Sequence, residues 1–211
     1  VRSLAPTLPA SADARPGAIE IVTVCTGNIC RSPFAEILLR DRLADLPVAV
    51  SSAGTRAVVG AGLPTPMALA VTARGLDPTH AARQLDDEVL RSPDLVLGLA
   101  REHRSAAAAL APRSGRRATT LLEFARVVEQ SGSDLAAEAR AAAADPEGRL
   151  RTAIGFVLAE RGSVRRPRSP ADDDVADPYG RDDKAYASAV AQIADAVETL
   201  ADYLLRAAGR P

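Results

Sequence analysis

A β-branched run, Ile19-Glu20-Ile21-Val22-Thr23-Val24, leads directly into Cys25-Thr26-Gly27-Asn28-Ile29-Cys30-Arg31-Ser32 and then into Pro33-Phe34-Ala35-Glu36-Ile37-Leu38-Leu39. The first segment reads as a buried strand. The third reads as a helix with proline in its first turn, where a missing N–H costs nothing. A strand, a tight loop and a helix in that order make the loop an oxyanion cradle with a nucleophile at its base. N–H groups of the loop and of the helix N-terminus converge on one anion, and the helix dipole adds positive potential. The same field favours a thiolate at Cys25. Arg31 can grip two phosphoryl oxygens in a bidentate fork and hold them as charge shifts in the transition state. Ser32 can hydrogen-bond the sulfur and steady it as a leaving group, while Thr26, Gly27, Asn28, Ile29 and Cys30 shape the cradle.

Further along, Val48 to Ser52 reads as a short strand closing on Ser51-Ser52-Ala53-Gly54-Thr55. A helix is expected from Thr65 to Arg74, stopped by Gly75, and a short one near Asp86 to Arg91. Asp94 to Leu99 is another buried strand, Arg101 to Leu110 a helix, and Thr119 to Leu122 a fourth strand. The alternation predicts an α/β fold: a four-stranded parallel sheet with helices on both faces. Ligands of such sheets sit beyond the carboxyl ends of the strands, where Cys25 falls. Tyr186, Val190, Ile193, Val197, Leu200 and Leu204 recur at spacings of four and three, the core-facing stripe of a last helix.

Between about 123 and 174 the chain carries Phe124 to Glu129, an Ala-rich helical run from Leu135 to Ala144, and Leu150, Ile154, Val157 and Leu158 on one helical face. These helices are expected to dock on the domain edge. Arg165-Arg166-Pro167-Arg168-Ser169-Pro170 reads as a mobile linker and Asp172-Asp173-Asp174 as a solvated run. Asp177-Pro178-Tyr179 then forms a proline turn before the last helix. It is the best candidate for the acid that a cysteine-based phosphoryl transfer needs for its leaving group. Tyr179 would wall the pocket by stacking on a substrate ring. His103, on an Arg-rich helix, is expected to be exposed.

At the Cys25–Ser32 segment, with Pro33, Ala35 and Glu36 behind it, the chain resembles the low-molecular-weight protein-tyrosine phosphatases. The resemblance spans roughly residues 18–122 and 175–206. It implies that family's fold, with a helical insertion before the general-acid loop. It also implies phosphotyrosine hydrolysis through a phosphocysteine intermediate, with no metal or other cofactor. Cys25 would be the nucleophile, Arg31 the phosphate grip and Asp177, in the family's Asp-Pro-Tyr loop, the general acid. Asn28 would adopt a left-handed conformation, supported by Ser52 and by His80 at the head of Ala81-Ala82-Arg83-Gln84. Cys30 would be a resolving thiol that can form a disulfide with Cys25. The non-aromatic stretch Arg56-Ala57-Val58-Val59-Gly60 resembles bacterial members paired with tyrosine kinases of exopolysaccharide and capsule assembly. The implied partners are a phosphotyrosine-containing protein and a cognate tyrosine kinase. Gly180 and Arg181 replace a second aromatic residue and open the pocket.

Two other functions fit less well. Arsenate reduction on this fold usually relays a disulfide through downstream cysteines, and none follows Cys30. A non-catalytic phosphotyrosine-binding module should have lost Cys25, Arg31 or Asp177. A formal net charge of −1 gives no reason to expect nucleic acid. No apolar stretch approaches transmembrane length, so no membrane insertion is expected. Two cysteines five apart are not a secreted disulfide framework, which points to the cytoplasm. Residues 1–17 are expected to be a flexible tail on a single domain, 18–211, acting as a monomer.

Overall fold

Four apolar runs become strands in a computed structural model that describes residues 17–210: β1 (Ile19–Cys25), β2 (Val48–Gly54), β3 (Leu95–Gly98) and β4 (Ala118–Thr120). Apart from Gly17, the expected tail lies outside the described residues. The sheet order is β2-β1-β3-β4, and every pairing is parallel. β1 is therefore central, and its carboxyl end, Cys25, lies beside Gly54.

The alternation of side chains along β1 and β3 builds two cores. Ile19 and Ile21 of β1 join Leu95 and Leu97 of β3 on one face, while Val22, Val24 and Val96 pack on the other. With both faces covered, the strands read as apolar runs rather than as half-polar ones. The larger core is closed by α1 (Arg31–Arg42), α2 (Thr65–Thr72), α4 (Leu121–Ala142), α5 (Pro146–Glu160) and α6 (Asp183–Ala208). The smaller one is closed by α3 (Arg101–Leu110) and by the segment holding Leu85 and Leu90. The expected stripe of α6 faces the core: Tyr186, Ile193, Val197, Leu200 and Leu204 are buried and Val190 is half-buried. Among the described residues no helix is long and apolar enough to cross a membrane.

Several elements differ from expectation. Asp86 to Arg91 forms turns, not a helix. The Asp86 carboxylate accepts the Val89 N–H at 2.9 Å, and Pro93 disfavours helical backbone just before it, so one turn cannot propagate. β4 stops at Thr120 because the Thr120 hydroxyl accepts the Glu123 N–H at 3.0 Å and caps α4. The Thr-x-x-Glu signature of that cap was present in the sequence. The two helical runs expected on either side of Ser131-Gly132-Ser133 are one continuous helix, since packing overrides local propensity there.

Nor do α4 and α5 sit at the edge. Phe124, Val127, Ala139, Leu150, Ala153 and Val157 are fully buried in the larger core. Phe124 meets Tyr203 of α6 edge to face, with ring centroids 6.2 Å apart. The Tyr203 hydroxyl donates to the Ala153 carbonyl at 2.8 Å, joining α5 to α6.

The stretch expected to be a mobile linker is pinned. Arg126 donates to the Arg165 carbonyl at 2.9 Å, and the Arg165 N–H donates to Gln130 at 2.9 Å. Asp173 is buried against Arg126 at 3.0 Å, and Asp174 meets Arg101 at 2.9 Å. Two of the three aspartates expected to be solvated therefore serve as anchors. Burial would raise the Asp174 carboxyl, but hydrogen bonds from the Arg101 side chain and backbone outweigh it and hold the group below its ordinary value.

Phe124→Ala should cost about 3–5 kcal/mol in stability, the scale of a large buried truncation. Urea denaturation at neutral pH measures it. A loss well under about 1 kcal/mol would return α4 to the edge.

Candidate active site

The loop leaving β1 bends at Asn28, whose φ of 54° is the only positive value at a non-glycine residue among those described. Its side chain is fully buried and fully engaged. Nδ2 donates to Ser32 Oγ at 3.0 Å and to Ser52 Oγ at 2.8 Å, and Oδ1 accepts the Arg83 N–H at 2.8 Å. His80 Nε2 donates to the Asn28 carbonyl at 2.7 Å. Ser52 and His80 thus stand beside Asn28.

Hydrogen bonds from the segment after β2 turn the carbonyls of the cradle outward. Thr55, Arg56 and Val58 donate their N–H groups to the carbonyls of Cys25, Thr26 and Gly27 at 2.9, 2.9 and 3.0 Å. Close approach is possible because residue 54 is glycine: a Cβ there would lie 2.6 Å from the Thr26 carbonyl oxygen and 2.9 Å from the Asn28 nitrogen. Among the described residues, the N–H groups of Gly27, Asn28, Ile29 and Cys30 find no acceptor. Consecutive free amides in such a bend form an anion nest.

Cys25 Sγ is buried at the base and accepts Ser32 Oγ–H at 3.0 Å. Ser32 is itself oriented. It accepts from Asn28, so its own proton is available to the sulfur. Thr23 Oγ donates to the Ser32 carbonyl at 2.9 Å and fixes the start of α1 to β1.

Arg31 is 4% exposed. It donates to the Val175 carbonyl at 3.0 Å and meets Asp177 Oδ2 at 2.8 Å, while its buried Nε has no partner among the described residues. Val175 in turn donates its N–H to the Leu99 carbonyl at 2.8 Å. The Asp173 and Asp174 anchors therefore deliver Asp177 to Arg31 across a separation of 146 residues. Asp177 Oδ1 accepts the Tyr179 N–H at 3.2 Å, and its side chain keeps 47% exposure. Tyr179 is exposed on the same turn, and Val58 and Val59 are exposed beside the loop. Cys30 is buried against Tyr186. Burial, then the charges of Cys25 and Asp177, push its thiol up to about 12 against the opposing pull of Arg31.

The expected exposure of His103 is wrong. Its ring is 1% exposed, and Nε2 lies 3.0 Å from Thr26 Oγ1. Gly98 makes this possible, since a Cβ there would lie 2.7 Å from the Arg104 nitrogen and block the first turn of α3. Burial, reinforced by Arg31 and opposed by Asp177 and Asp174, pushes the imidazole down to about 4. Glu102, 3.4 Å from Nε2, is largely in water, which screens its pull. One signal could have found His103. It sits in the first turn of a helix that directly follows a buried strand, at the ligand-facing edge of the sheet.

The chain matches the model of the low molecular weight phosphotyrosine protein phosphatase family over residues 20–139, past the start expected for the inserted segment. It is 40% identical over 111 residues to the low molecular weight protein-tyrosine-phosphatase Etp of Escherichia coli, covering 52% of this chain and 72% of that protein. It is 36% identical over 109 residues to a protein-arginine-phosphatase of Bacillus subtilis, covering 50% and 72%. The structure of Vibrio vulnificus Wzb in complex with benzylphosphonate superposes with a TM-score of 0.61 at 20% identity, covering 87% of this chain and 97% of that one.

The unfolded chain protonates His103 near its ordinary 6.5, and the folded chain not until about 4. In between, unfolding takes up a proton. The stability present above about pH 6.5 is therefore lost as pH falls toward 4. His103→Gln should narrow the stability difference between pH 7 and pH 4.5, read by urea denaturation. An unchanged difference would show that the ring is not held neutral.

Proposed function

The chain belongs to the low molecular weight phosphotyrosine protein phosphatase family, and on that premise we propose that it hydrolyses phosphotyrosine in proteins through a phosphocysteine intermediate. The observation that carries this is the Cys25–Ser32 contact at 3.0 Å at the foot of the loop whose Arg31 holds Asp177 at 2.8 Å. Nucleophile, phosphate grip and acid belong to one connected set of side chains.

In this mechanism a phosphoryl group enters the nest of amides from Gly27 to Cys30. The Arg31 guanidinium, including its unpartnered Nε, takes two of the phosphoryl oxygens. Asp177 is thereby released from its ion pair and takes up a proton from solvent. The Cys25 thiolate attacks phosphorus, the P–O bond breaks, and Asp177 gives its proton to the departing phenolate. In the second half Asp177 takes a proton from water, the water oxygen attacks phosphorus and the S–P bond breaks. Ser32 Oγ–H stabilises the sulfur as it leaves. Asn28, Ser52 and His80 hold the loop, and Thr26 and Ile29 complete its wall. The exposed Tyr179, Val58 and Val59 give the mouth an apolar rim suited to an aromatic ring. The partners in this reading are a phosphotyrosine-containing protein and the tyrosine kinase that makes it. The enzyme acts as a monomer in the cytoplasm, where its thiols stay reduced.

Cys30 takes a redox role in the same reading. A peroxide converts Cys25 to sulfenic acid, and the Cys30 thiol condenses with it, releasing water and leaving a disulfide. After brief peroxide treatment, dithiothreitol should restore activity to the wild type and much less of it to Cys30→Ser. Equal recovery removes the role.

Cys25→Ser should abolish turnover while the protein still binds inorganic phosphate. Asp177→Asn should slow phosphoenzyme formation from phosphotyrosine peptides by about two to four orders of magnitude. Its effect on p-nitrophenyl phosphate, whose leaving group needs little protonation, should be far smaller. Stopped-flow and steady-state rates at pH 6 measure both, and a wild-type rate in either variant on phosphotyrosine rejects the assignment.

A further inference from the structure

The mechanism above uses neither the buried imidazole of His103 nor the hydroxyl of Thr26, yet the two groups are 3.0 Å apart beside the nucleophile. Their surroundings settle which of them donates. Nε2 faces two oxygens, Thr26 Oγ1 at 3.0 Å and Glu102 Oε1 at 3.4 Å. Nδ1 is buried with no partner among the described residues. A proton on Nδ1 would strand an N–H donor away from water and turn the Nε2 lone pair toward a carboxylate. A proton on Nε2 has oxygens to meet and leaves only an unprotonated nitrogen at Nδ1. The ring is neutral at working pH, because burial and Arg31 hold it down. It therefore carries a single N–H, and that N–H points at Thr26.

The consequence falls on Thr26. Its Oγ1 accepts from His103, so its own proton must go elsewhere. Among the described residues no other group bonds that hydroxyl. Thr26 is the first residue of the cradle after the nucleophile, and His103 is close enough to Arg31 and Asp177 to feel both charges. We infer that His103 is a positioning residue: its Nε2–H fixes Thr26 Oγ1 so that the Thr26 hydroxyl donates to an oxygen of the bound phosphoryl group. This adds a side-chain donor to the backbone amides and the Arg31 fork. It rests on the phosphatase reading of the site. It also accounts for a buried histidine in the first turn of α3, with Gly98 making room for it.

The test compares wild type, Thr26→Val, His103→Leu, His103→Gln and the Thr26→Val/His103→Leu double variant. The readouts are kcat and KM for p-nitrophenyl phosphate and the competitive inhibition constant of inorganic phosphate. Thr26→Val and His103→Leu should each lower kcat/KM and weaken phosphate inhibition by about tenfold, the scale of one hydrogen bond to a charged group. The double variant should be no worse than either single one, because both remove the same donor. His103→Gln, whose amide N–H reaches the position of Nε2, should restore most of the loss. Additive losses, no rescue by glutamine, or an unchanged phosphate constant in Thr26→Val would each overturn the inference. If His103→Leu fails to fold, the near-isosteric Thr26→Val decides alone. A wild type that neither turns over p-nitrophenyl phosphate nor binds phosphate overturns the phosphatase reading, and this inference with it.

Discussion

The left-handed turn at Asn28 is the constraint on which the rest of the site depends. Holding a non-glycine residue there costs roughly 1–2 kcal/mol. The hydrogen bonds that converge on this residue, from Ser32 and Ser52 through Arg83 to His80, each contribute about 0.5–1.5 kcal/mol, enough to outweigh that cost. The bend leaves the amides of residues 27 to 30 without an acceptor among the described residues. It also sets the direction of the hydrogen bonds. Because Asn28 donates to Ser32, the serine hydroxyl turns its proton to the Cys25 sulfur. Because Asn28 also donates to Ser52, that hydroxyl donates to Glu36 of α1. One amide thereby polarises the contacts of Cys25 and ties three elements together.

A second device brings Asp177 to this loop. Arg31 starts α1, whereas Asp177 lies just ahead of α6, and no local pattern links them. The connection is made by charge. Arg126 holds Asp173, Arg101 holds Asp174, and Val175 donates its N–H to the Leu99 carbonyl and accepts the Arg31 side chain at its own. Exposed ion pairs contribute little, but these two are half-buried and act in series on a short chain. Their effect is to shorten the reach of Asp177 rather than to add much stability. Arg101 and His103 share the first turn of α3, so the strap and the imidazole at Thr26 are anchored on the same element.

How much of this was legible beforehand varies from one element to the next. The parallel sheet was, since runs such as Ile19–Val24 and Asp94–Leu99 are apolar on both alternating sides. The α6 stripe was legible because its period is carried by large side chains. The contacts among Cys25, Asn28 and Ser32 were legible because these residues lie within eight consecutive positions. His103 was not. A histidine among arginines reads as solvated, and only the closure of α3 over Gly98 buries it. The aspartates at 173 and 174 misled for the same reason: a run of like charges looks solvated until its arginine partners, 47 and 73 residues away, are placed.

The linear order of residues by itself determined what the site can do chemically. Cysteine, amide-rich loop, arginine and serine are neighbours in the chain, so their mutual distances follow from local backbone geometry. It likewise determined the class of the fold, through hydrophobic alternation. Tertiary structure alone decided which distant groups serve that site. Ser52 and His103 reach the loop because parallel strands bring the ends of separate segments to one edge, and Asp177 because Arg126 and Arg101 hold the aspartates before it; distances of that kind depend on packing rather than on sequence spacing. Packing also decided that α4 and α5 are core. Their apolar residues, Phe124, Val127, Leu150, Ile154 and Val157 among them, were visible in the chain, but which elements would bury them was not.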